Sequence, residues 1–295
     1  MTAHKRRPGA PRRARWLAVS GAALVATAAL AAPTPAIGAS SPAAAAQVDA
    51  GAASGGPPSE FTRQALERAR ASLPFDDTRD FEEQRRGLIA PMTEPTIRAD
   101  AGHVAWDHGR YRFLLERDRF DSVHPSLHRI STLNMNYGLY EVVPGLYQVR
   151  GFDLANVTFV RGRTGWIVFD PLTSTETARA ALTLFRRHVG GDLPVTAVIY
   201  SHSHADHWAG VRGVVDEAEV VAGRVQVIAP RDFMQHAIAE NVYAGNAMNR
   251  RLVYQYGVLL PAGPRGHVGQ GLGMNIASGR SGLIAPTRHV ERDVE

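Results

Sequence analysis

Residues Val195 to Gly210 read VTAVIYSHSHADHWAG. The first six residues are mostly apolar, which is typical of a buried strand. Three imidazoles and a carboxylate follow within six residues, where the strand gives way to a loop. In an extended chain alternate side chains point to the same side, so His202 and His204 converge on one point. Asp206 and His207 follow as the chain turns, and they are placed to serve a second point nearby.

These four side chains predict a metal site. Imidazole nitrogen with carboxylate oxygen is a ligand set that suits zinc, with iron and manganese as alternatives. Two divalent ions about 3.5–4 Å apart can clamp a substrate and generate hydroxide. We therefore assign His202 and His204 to one metal ion and Asp206 and His207 to the other. The alternative is that each histidine is an ordinary surface or packing residue, and so dense a spacing argues against it.

The composition excludes several kinds of site. The chain has no cysteine, which removes disulfides, thiolate ligands and cysteine nucleophiles and leaves His, Asp and Glu as metal ligands. The formal charge of +5 arises from the stretch between Lys5 and Arg15, which carries six of the 33 lysines and arginines. The remaining 27 basic residues are balanced by 28 acidic ones. The charge is therefore no argument for a nucleic-acid partner, and we expect none.

The start of the chain has the pattern of an export signal. A basic stretch to Arg15 precedes the apolar run from Trp16 to Ala32, and small residues follow. We predict a signal peptide over residues 1–39 and hence an exported protein, secreted or periplasmic, with no stable membrane span. A single membrane anchor is the structural alternative. Residues 40–59 are rich in Ala, Gly and Pro and predict a disordered linker.

The rest of the chain alternates between strand and helix patterns. Residues 61–73 have apolar positions at helical spacing, and residues 140–170 read as three strands that include a hairpin. Residues 173–188 have a helical apolar face, which precedes the strand of the metal motif. A short helix is predicted over residues 210–219. This alternation favours an α/β fold.

Several further segments carry a resemblance to a known family. Together with the metal motif they resemble the linear alkylsulfatase branch of the metallo-β-lactamase superfamily, and the likeness runs from about Phe81 to about Thr287. The segments are Gly151 to Phe159 (GFDLANVTF), Ile228-Ala229-Pro230, Glu240-Asn241-Val242, Ala244 to Met248 (AGNAM) and Gly271-Leu272-Gly273.

The resemblance implies a fold and an activity. The fold would be the first half of a metallo-β-lactamase-like αββα sandwich, with metals held in the groove between the sheets. The activity would be hydrolysis of an alkyl sulfate ester to alcohol and sulfate by metal-bound hydroxide, with two zinc ions per site. The resemblance supports the division of His202, His204, Asp206 and His207 between the two metals. Asp206 is also the catalytic candidate, as the residue that orients the attacking water, although it could serve as a ligand only.

The resemblance also implies parts that this sequence lacks. The family's site uses two glutamates and one further histidine downstream of the matched segment, and a helical dimerisation region follows. We therefore expect an amino-terminal portion that is impaired as an enzyme. We divide it into an extension at 60–139 that packs on the core, an incomplete metallo-β-lactamase-like domain at 140–287 and a divergent tail at 288–295. The alternatives are a hydrolase of another ester or lactone class with the same fold, and an inactive remnant.

Overall fold

The computed structural model describes residues 55–292. The predicted signal peptide at 1–39 and most of the predicted linker at 40–59 lie outside the described residues. Within residues 55–292, none of the helices combines the length and apolar character needed to cross a membrane.

The central feature is an eight-stranded mixed sheet. The strand order is β1-β4-β5-β6-β7-β8-β9-β10, and a separate pair of strands, β2 and β3, lies outside it. Neighbours from β1 to β7 are antiparallel, whereas β7, β8, β9 and β10 run parallel. The strands are β1 (Leu88–Pro91), β2 (Thr96–Arg98), β3 (Val104–Asp107), β4 (Gly138–Val143), β5 (Leu146–Arg150), β6 (Val157–Arg161), β7 (Trp166–Phe169), β8 (Val195–Ile199), β9 (Gln226–Pro230) and β10 (Arg288–Val290).

Within the described part of the chain, seven α-helices accompany the strands. The predicted α/β class is therefore confirmed, as are the helix near residue 61, the hairpin of β6 and β7 and the strand before the metal motif. The helices are α1 (Glu60–Ser72), α2 (Arg79–Glu83), α3 (Pro125–Leu133), α4 (Thr175–Phe185), α5 (Glu217–Val221), α6 (Phe233–Ile238) and α7 (Gly245–Tyr256).

The prediction of a helix over residues 210–219 was wrong. A single 3-10 turn at Val211–Gly213 and the short helix α5 take its place. The reason lies at Gly210 and Gly213, where the backbone packs directly against the chain around α4. A Cβ atom on Gly210 would lie 2.6 Å from the carbonyl oxygen of Ser174, and one on Gly213 would lie 2.7 Å from the amide nitrogen of Arg179. This close approach fixes a tight turn rather than a regular helix.

The main core lies between the sheet and α4. Helix α4 buries Ala178, Ala181 and Phe185 completely, and the ring of Phe185 stacks on Phe159 of β6 at 4.1 Å. Ser174 begins the helix by accepting a hydrogen bond from the amide of Thr177, which satisfies one of the free N–H groups of the first turn. The helix connects β7 to the parallel strand β8, so its packing places the ends of these two strands side by side.

The region before residue 140 contributes to the sheet as well as to a second cluster. Strand β1 pairs with β4 and forms one edge of the main sheet. Around Trp106, Tyr111 and Met274 a separate apolar cluster joins this region to the chain beyond α7. The boundaries drawn at 60–139, 140–287 and 288–295 stay a prediction.

A buried carboxylate ties three separate segments together. Asp153 accepts five hydrogen bonds, three on Oδ1 and two on Oδ2. The donors on Oδ1 are the amides of Leu154 and Ala277 and the hydroxyl of Thr173, and those on Oδ2 are the amide of Thr173 and the hydroxyl of Thr177. Asp153 therefore has a structural role.

We expect Asp153→Asn to lower the free energy of unfolding by about 1–3 kcal/mol. Each carboxylate oxygen faces at least one backbone N–H, so the amide nitrogen of asparagine meets a donor whichever way it turns, and an unsatisfied buried donor costs roughly 1–3 kcal/mol. Urea unfolding measures the change. The control is Asp100→Asn, which removes an exposed ion pair with Arg179 and should cost much less. Equal effects of the two substitutions would contradict the structural role of Asp153.

Candidate metal centre

The four predicted ligands lie at the carboxyl end of β8. Parallel strands present their carboxyl ends at the same edge of a sheet, and this edge is where α/β proteins bind ligands. Asp170 follows β7 directly and the metal motif follows β8. The site is therefore built from two adjacent strand ends, one of which the sequence motif does not include.

The backbone of the motif is held in a tight loop. Residues Ala205–His207 form a 3-10 turn in which the amide of His207 donates to the carbonyl of His204 at 3.1 Å. The buried indole of Trp208 donates through Nε1 to the carbonyl of Ser203 at 2.8 Å. These bonds fold the motif back on itself and bring its side chains to one place.

The structure brings the three imidazoles together. The ring centroid of His202 lies 4.6 Å from that of His204 and 4.1 Å from that of His207. Asp206 joins them, because its Oδ2 lies 3.1 Å from Nε2 of His207. All four side chains thus belong to one cluster, which we call the histidine cluster: His202, His204, Asp206 and His207.

Asp170 organises the cluster from β7. Its Oδ2 accepts from Nδ1 of His207 at 2.9 Å and from the hydroxyl of Ser201 at 2.7 Å. Its Oδ1 accepts from the amide of Ser201 at 2.8 Å. A carboxylate that binds the outer nitrogen of a histidine fixes the ring's orientation and leaves the other nitrogen available, as at many metal sites. Asp170 therefore orients His207 with Nε2 toward the cluster.

The loop that carries Asp170 has an unusual backbone. Asp170 and Leu172 both have left-handed conformations, with φ of 54° and 62°. Such conformations persist only where the surrounding structure enforces them, and they concentrate at functional sites. Here the amide of Gly210 donates to the carbonyl of Leu172 at 2.9 Å, which ties the loop to the end of the metal motif.

Ser201 holds His202 in a similar way. Because the Ser201 hydroxyl donates to Asp170, it accepts from Nδ1 of His202, 2.9 Å away. Nε2 of His202 is then the nitrogen with a free lone pair. Burial lowers the pKa of His202, and the neighbouring His207 and His204 lower it further. His202 is therefore neutral near pH 7, which is the form that binds metals.

The two acidic neighbours of His207 control its protonation. Burial alone lowers the pKa of His207, but the hydrogen bonds to Asp170 and Asp206 outweigh it and raise the pKa to about 9. Burial likewise acts to raise the pKa of Asp206, and its bond to His207 overcomes this, so that the pKa is lowered. In the metal-free protein His207 is thus a cation that bridges two carboxylates.

The donor set fits a divalent transition metal in its chemistry. Nε2 of His202, Nε2 of His207 and the carboxylate of Asp206 are nitrogen and oxygen donors of the type zinc accepts. Their present positions do not enclose an ion: among residues 55–292, no group of three or more His, Cys, Asp or Glu side chains is arranged to hold a metal. Protonated His207 donates a hydrogen bond from Nε2 to the carboxylate of Asp206. A metal ion bound to both side chains would have to displace this proton.

The charge on His207 predicts a pH dependence of stability in the metal-free protein. Its pKa is raised from 6.5 to about 9, so its contribution is complete below pH 6.5 and is lost as the pH rises through 9. At about 1.4 kcal/mol per pKa unit, we expect the free energy of unfolding to fall by at most roughly 3 kcal/mol across this window. Urea unfolding in the presence of a chelator at pH 6.5 and pH 9.5 measures the change.

The matched variant for this measurement is His207→Gln, which has no titrating imidazole. Its free energy of unfolding should change much less between the two pH values. The interpretation is wrong if the wild-type protein is equally stable at both, or if His207→Gln retains the full dependence.

Sequence reasoning missed two carboxylates beside the cluster. Asp170 could have been found from its position, since an Asp-Pro pair ends the strand before α4 and faces the motif across a parallel neighbour. Glu240 lies with Oε1 3.4 Å from Nε2 of His204. Glu240 follows His236 by four residues, a spacing typical of a helical pair, and no local signal points to His204 instead.

This chain is similar to known proteins over most of its length. Residues 150–289 match the Metallo-beta-lactamase superfamily. A linear primary-alkylsulfatase of Pseudomonas sp. is 48% identical over 232 residues, which are 78% of this chain and 34% of the relative. An alkyl/aryl-sulfatase of Saccharomyces cerevisiae is 45% identical over 223 residues, which are 76% of this chain and 34% of the relative. The chain thus spans about a third of the length of the curated relatives it matches.

A solved structure extends the comparison to the fold. The structure of a stereoselective inverting sec-alkylsulfatase from Pseudomonas sp. matches with a TM-score of 0.75 and 47% identity, over 80% of this chain and 37% of that one. By sequence and by fold, this chain is similar to about a third of the length of these alkylsulfatases, and its residues 150–289 match the metallo-beta-lactamase superfamily.

Proposed function

We propose that the protein is a zinc-dependent hydrolase that releases sulfate from alkyl sulfate esters. One observation carries the proposal: three imidazoles and a carboxylate converge at a strand end, beside a second carboxylate that orients His207. The relatives that are 45–48% identical are named as alkylsulfatases, which supports the substrate class. The substrate would be a small amphiphile with one sulfate group.

The histidine cluster would hold the metal. His202 and His207 would bind through Nε2, because Ser201 and Asp170 engage the other nitrogen of each ring. Zinc bound there would supply Lewis acidity, which lowers the pKa of water and neutralises charge on sulfate oxygens. The protein's own part is to hold the imidazole nitrogens and the ionised carboxylates in a fixed arrangement.

Asp206 is the candidate that acts on the attacking water. Its lowered pKa keeps the carboxyl group ionised near pH 7, and its side chain is mostly buried within the cluster. An ionised carboxylate beside the metals can accept a hydrogen bond from water and orient it toward sulfur or carbon. Asp206 would therefore combine metal binding with the orientation of water.

A second candidate is a metal-binding protein with little or no turnover. The observation that favours it is that the side chains among residues 55–292 do not enclose an ion in their present positions. Four donors shared between two zinc ions leave each ion with fewer protein ligands than the usual three of a catalytic zinc. Hydrolysis of another ester or of a lactone is the remaining alternative within the same fold.

Export directed by the segment 1–39 is a further proposal. Its support is the basic stretch followed by the apolar run from Trp16 to Ala32. An amino-terminal sequence of the protein recovered outside the cytoplasm tests it: the first residue should lie near position 40. Recovery of the intact leader on a membrane-bound protein would favour an anchor instead.

Release of inorganic sulfate tests the function directly. The purified protein, equilibrated with zinc, is incubated with dodecyl sulfate below its micellar concentration, and free sulfate is measured by ion chromatography. We expect release that a chelator stops and added zinc restores. Asp206→Asn should lower the rate about 10²–10⁴-fold, as for loss of a group that handles the proton of the attacking water.

The matched control is Asp216→Asn, an exposed carboxylate before α5 outside the cluster, which should leave the rate unchanged. Zinc uptake without sulfate release would favour the metal-binding alternative. Zinc-dependent hydrolysis of a lactone or an aryl ester, without sulfate release, would favour another substrate class.

A further inference from the structure

Glu240 lies on an irregular segment that faces the histidine cluster. Helix α6 ends at Ile238, and Ala239–Tyr243 form a π-helical turn before α7 begins. The amide of Ala244 closes this turn by donating to the carbonyl of Ala239 at 2.9 Å. Single π-turns inserted between α-helices are rare and occur frequently at functional sites. This turn changes the direction of the side chains that follow α6.

The turn points one carboxylate inward and its neighbours outward. The Glu240 side chain is 24% exposed, whereas Val242 is 68% and Tyr243 is 86% exposed. Oε1 of Glu240 lies 3.4 Å from Nε2 of His204, an ion-pair distance that a small rotation of either side chain would close to a hydrogen bond. Glu240 thus reaches the cluster from an element that follows β9 and α6, well beyond the motif in sequence.

The contact completes a pattern across the three imidazoles. Nδ1 of His202 is engaged by the hydroxyl of Ser201, and Nδ1 of His207 by Asp170. His204 is engaged by Glu240 on the other nitrogen, Nε2. Each ring therefore has one nitrogen next to an oxygen from outside the cluster, and none of the hydrogen bonds among the described residues involves Nε2 of His202 or Nδ1 of His204.

We propose that Glu240 is a positioning residue that holds His204 through Nε2–H and leaves Nδ1 as its metal-binding nitrogen. The proposal rests on the proposed metal-dependent function. A carboxylate that accepts from the outer nitrogen of a ligating histidine fixes its tautomer and ring orientation, and its removal typically costs about 10–100-fold in metal affinity. Glu240 itself donates no bond to the metal and does not touch the substrate.

The alternative partner for the Glu240 carboxylate is His236, which lies one helical turn earlier in the sequence. The observed ion pair favours His204, because none of the ion pairs found among residues 55–292 joins Glu240 to His236. A helical pair would also leave both side chains on the solvent face, whereas the Glu240 side chain is only 24% exposed and His236 is exposed. His236 therefore provides the control position.

Zinc affinity in a set of variants provides the first test. Competition with a chromophoric chelator should show that Glu240→Leu weakens zinc binding about 10–100-fold. Glu240→Gln keeps an acceptor for Nε2–H and should lose distinctly less, whereas His236→Ala should bind as the wild type does. A Glu240→Gln loss equal to that of Glu240→Leu would overturn the positioning role, because it would make the carboxylate a direct ligand.

A double-mutant cycle separates this role from a general loss of structure. If Glu240 acts through His204, then Glu240→Leu should have no further effect on zinc affinity once His204 is replaced with alanine. Additive losses in the double variant would overturn the proposal. Thermal unfolding of each metal-free variant identifies any that fail to fold.

A readout in the metal-free protein distinguishes this proposal from the proposed function. Nitrogen-15 spectra of the imidazoles should show His204 with its proton on Nε2, and Glu240→Leu should shift this nitrogen while His236→Ala does not. If the wild-type protein takes up no zinc but Glu240→Leu still shifts the Nε2 resonance of His204, the proposed function is wrong and the contact between Glu240 and His204 is supported. If Glu240→Leu leaves the Nε2 resonance of His204 unchanged, the contact between Glu240 and His204 is wrong.

Discussion

Replacing Gly210 with alanine will destabilise the protein by about 3 kcal/mol or more, at the upper end of the cost of overpacking. A Cβ atom at this position would lie 2.6 Å from the carbonyl oxygen of Ser174 and closer still to that of Pro171. Both obstacles are backbone atoms, which cannot move aside as a flexible side chain can. The loop from Asp170 to Ser174 would therefore have to shift, and Asp170 with it. Urea unfolding of the metal-free protein measures the loss.

The matched control for this substitution is Gly245→Ala at the start of α7. A Cβ atom there meets nothing within 4 Å. Alanine favours a helix over glycine by up to about 1 kcal/mol, so this variant should be unchanged or slightly stabilised. Similar losses at the two glycines would show that the close packing of Gly210 is not what holds the loop.

Asp170→Asn will lower the zinc affinity about 10–100-fold, the usual range when a residue that orients a ligating histidine is lost. Asparagine tolerates the left-handed backbone at this position, so the loop can keep its conformation. Each carboxylate oxygen, however, accepts from a nitrogen donor, Oδ1 from the Ser201 amide and Oδ2 from His207. The amide nitrogen of asparagine would face one of these two N–H groups in either orientation.

Competition with a chromophoric chelator measures this affinity. Asp192→Asn, which changes an exposed carboxylate before β8, is the control and should bind zinc as the wild type does. The lower pKa expected for His207 in Asp170→Asn should also weaken the pH dependence of stability. Unchanged zinc affinity in Asp170→Asn would mean that His207 does not depend on its outer hydrogen bond.

Patterns of apolar residues in the sequence predicted those strands and helices whose formation depends on neighbouring residues. The apolar run before Ser201 identified β8, and the spacing of apolar residues identified α1 and α4. The alternation of strands and helices identified the α/β class. The position of the histidine cluster at a strand end followed from the same reasoning, because a dense polar motif after a buried strand must lie at its exposed end.

Long-range contacts accounted for what the patterns did not predict. Strand β1 joins the main sheet through pairing with β4, which lies far along the chain and has no signal in the sequence of β1 itself. Gly210 ends the motif with a turn rather than a helix because of its approach to Ser174, which the sequence does not encode locally. A packing partner distant in sequence decided both cases.

The same distinction applies to the site. The residues inside the motif were found from their spacing, but Asp170 and Glu240 contact the cluster from other elements. Asp170 arrives from the neighbouring parallel strand and Glu240 from a π-turn that no helical periodicity predicts. The orienting groups of a site are therefore harder to predict from sequence than its candidate ligands.

Whether the histidine cluster binds zinc is tested by a zinc titration of the wild-type protein and of the double variant His202→Ala, His204→Ala, with bound metal counted by elemental analysis. We expect at least one zinc ion per wild-type chain, with protons released as His207 gives up its charge. The double variant should retain its fold and lose this zinc. A wild-type protein that binds no zinc, or a double variant that binds as much as the wild type, would contradict the assignment of the histidine cluster as a metal centre.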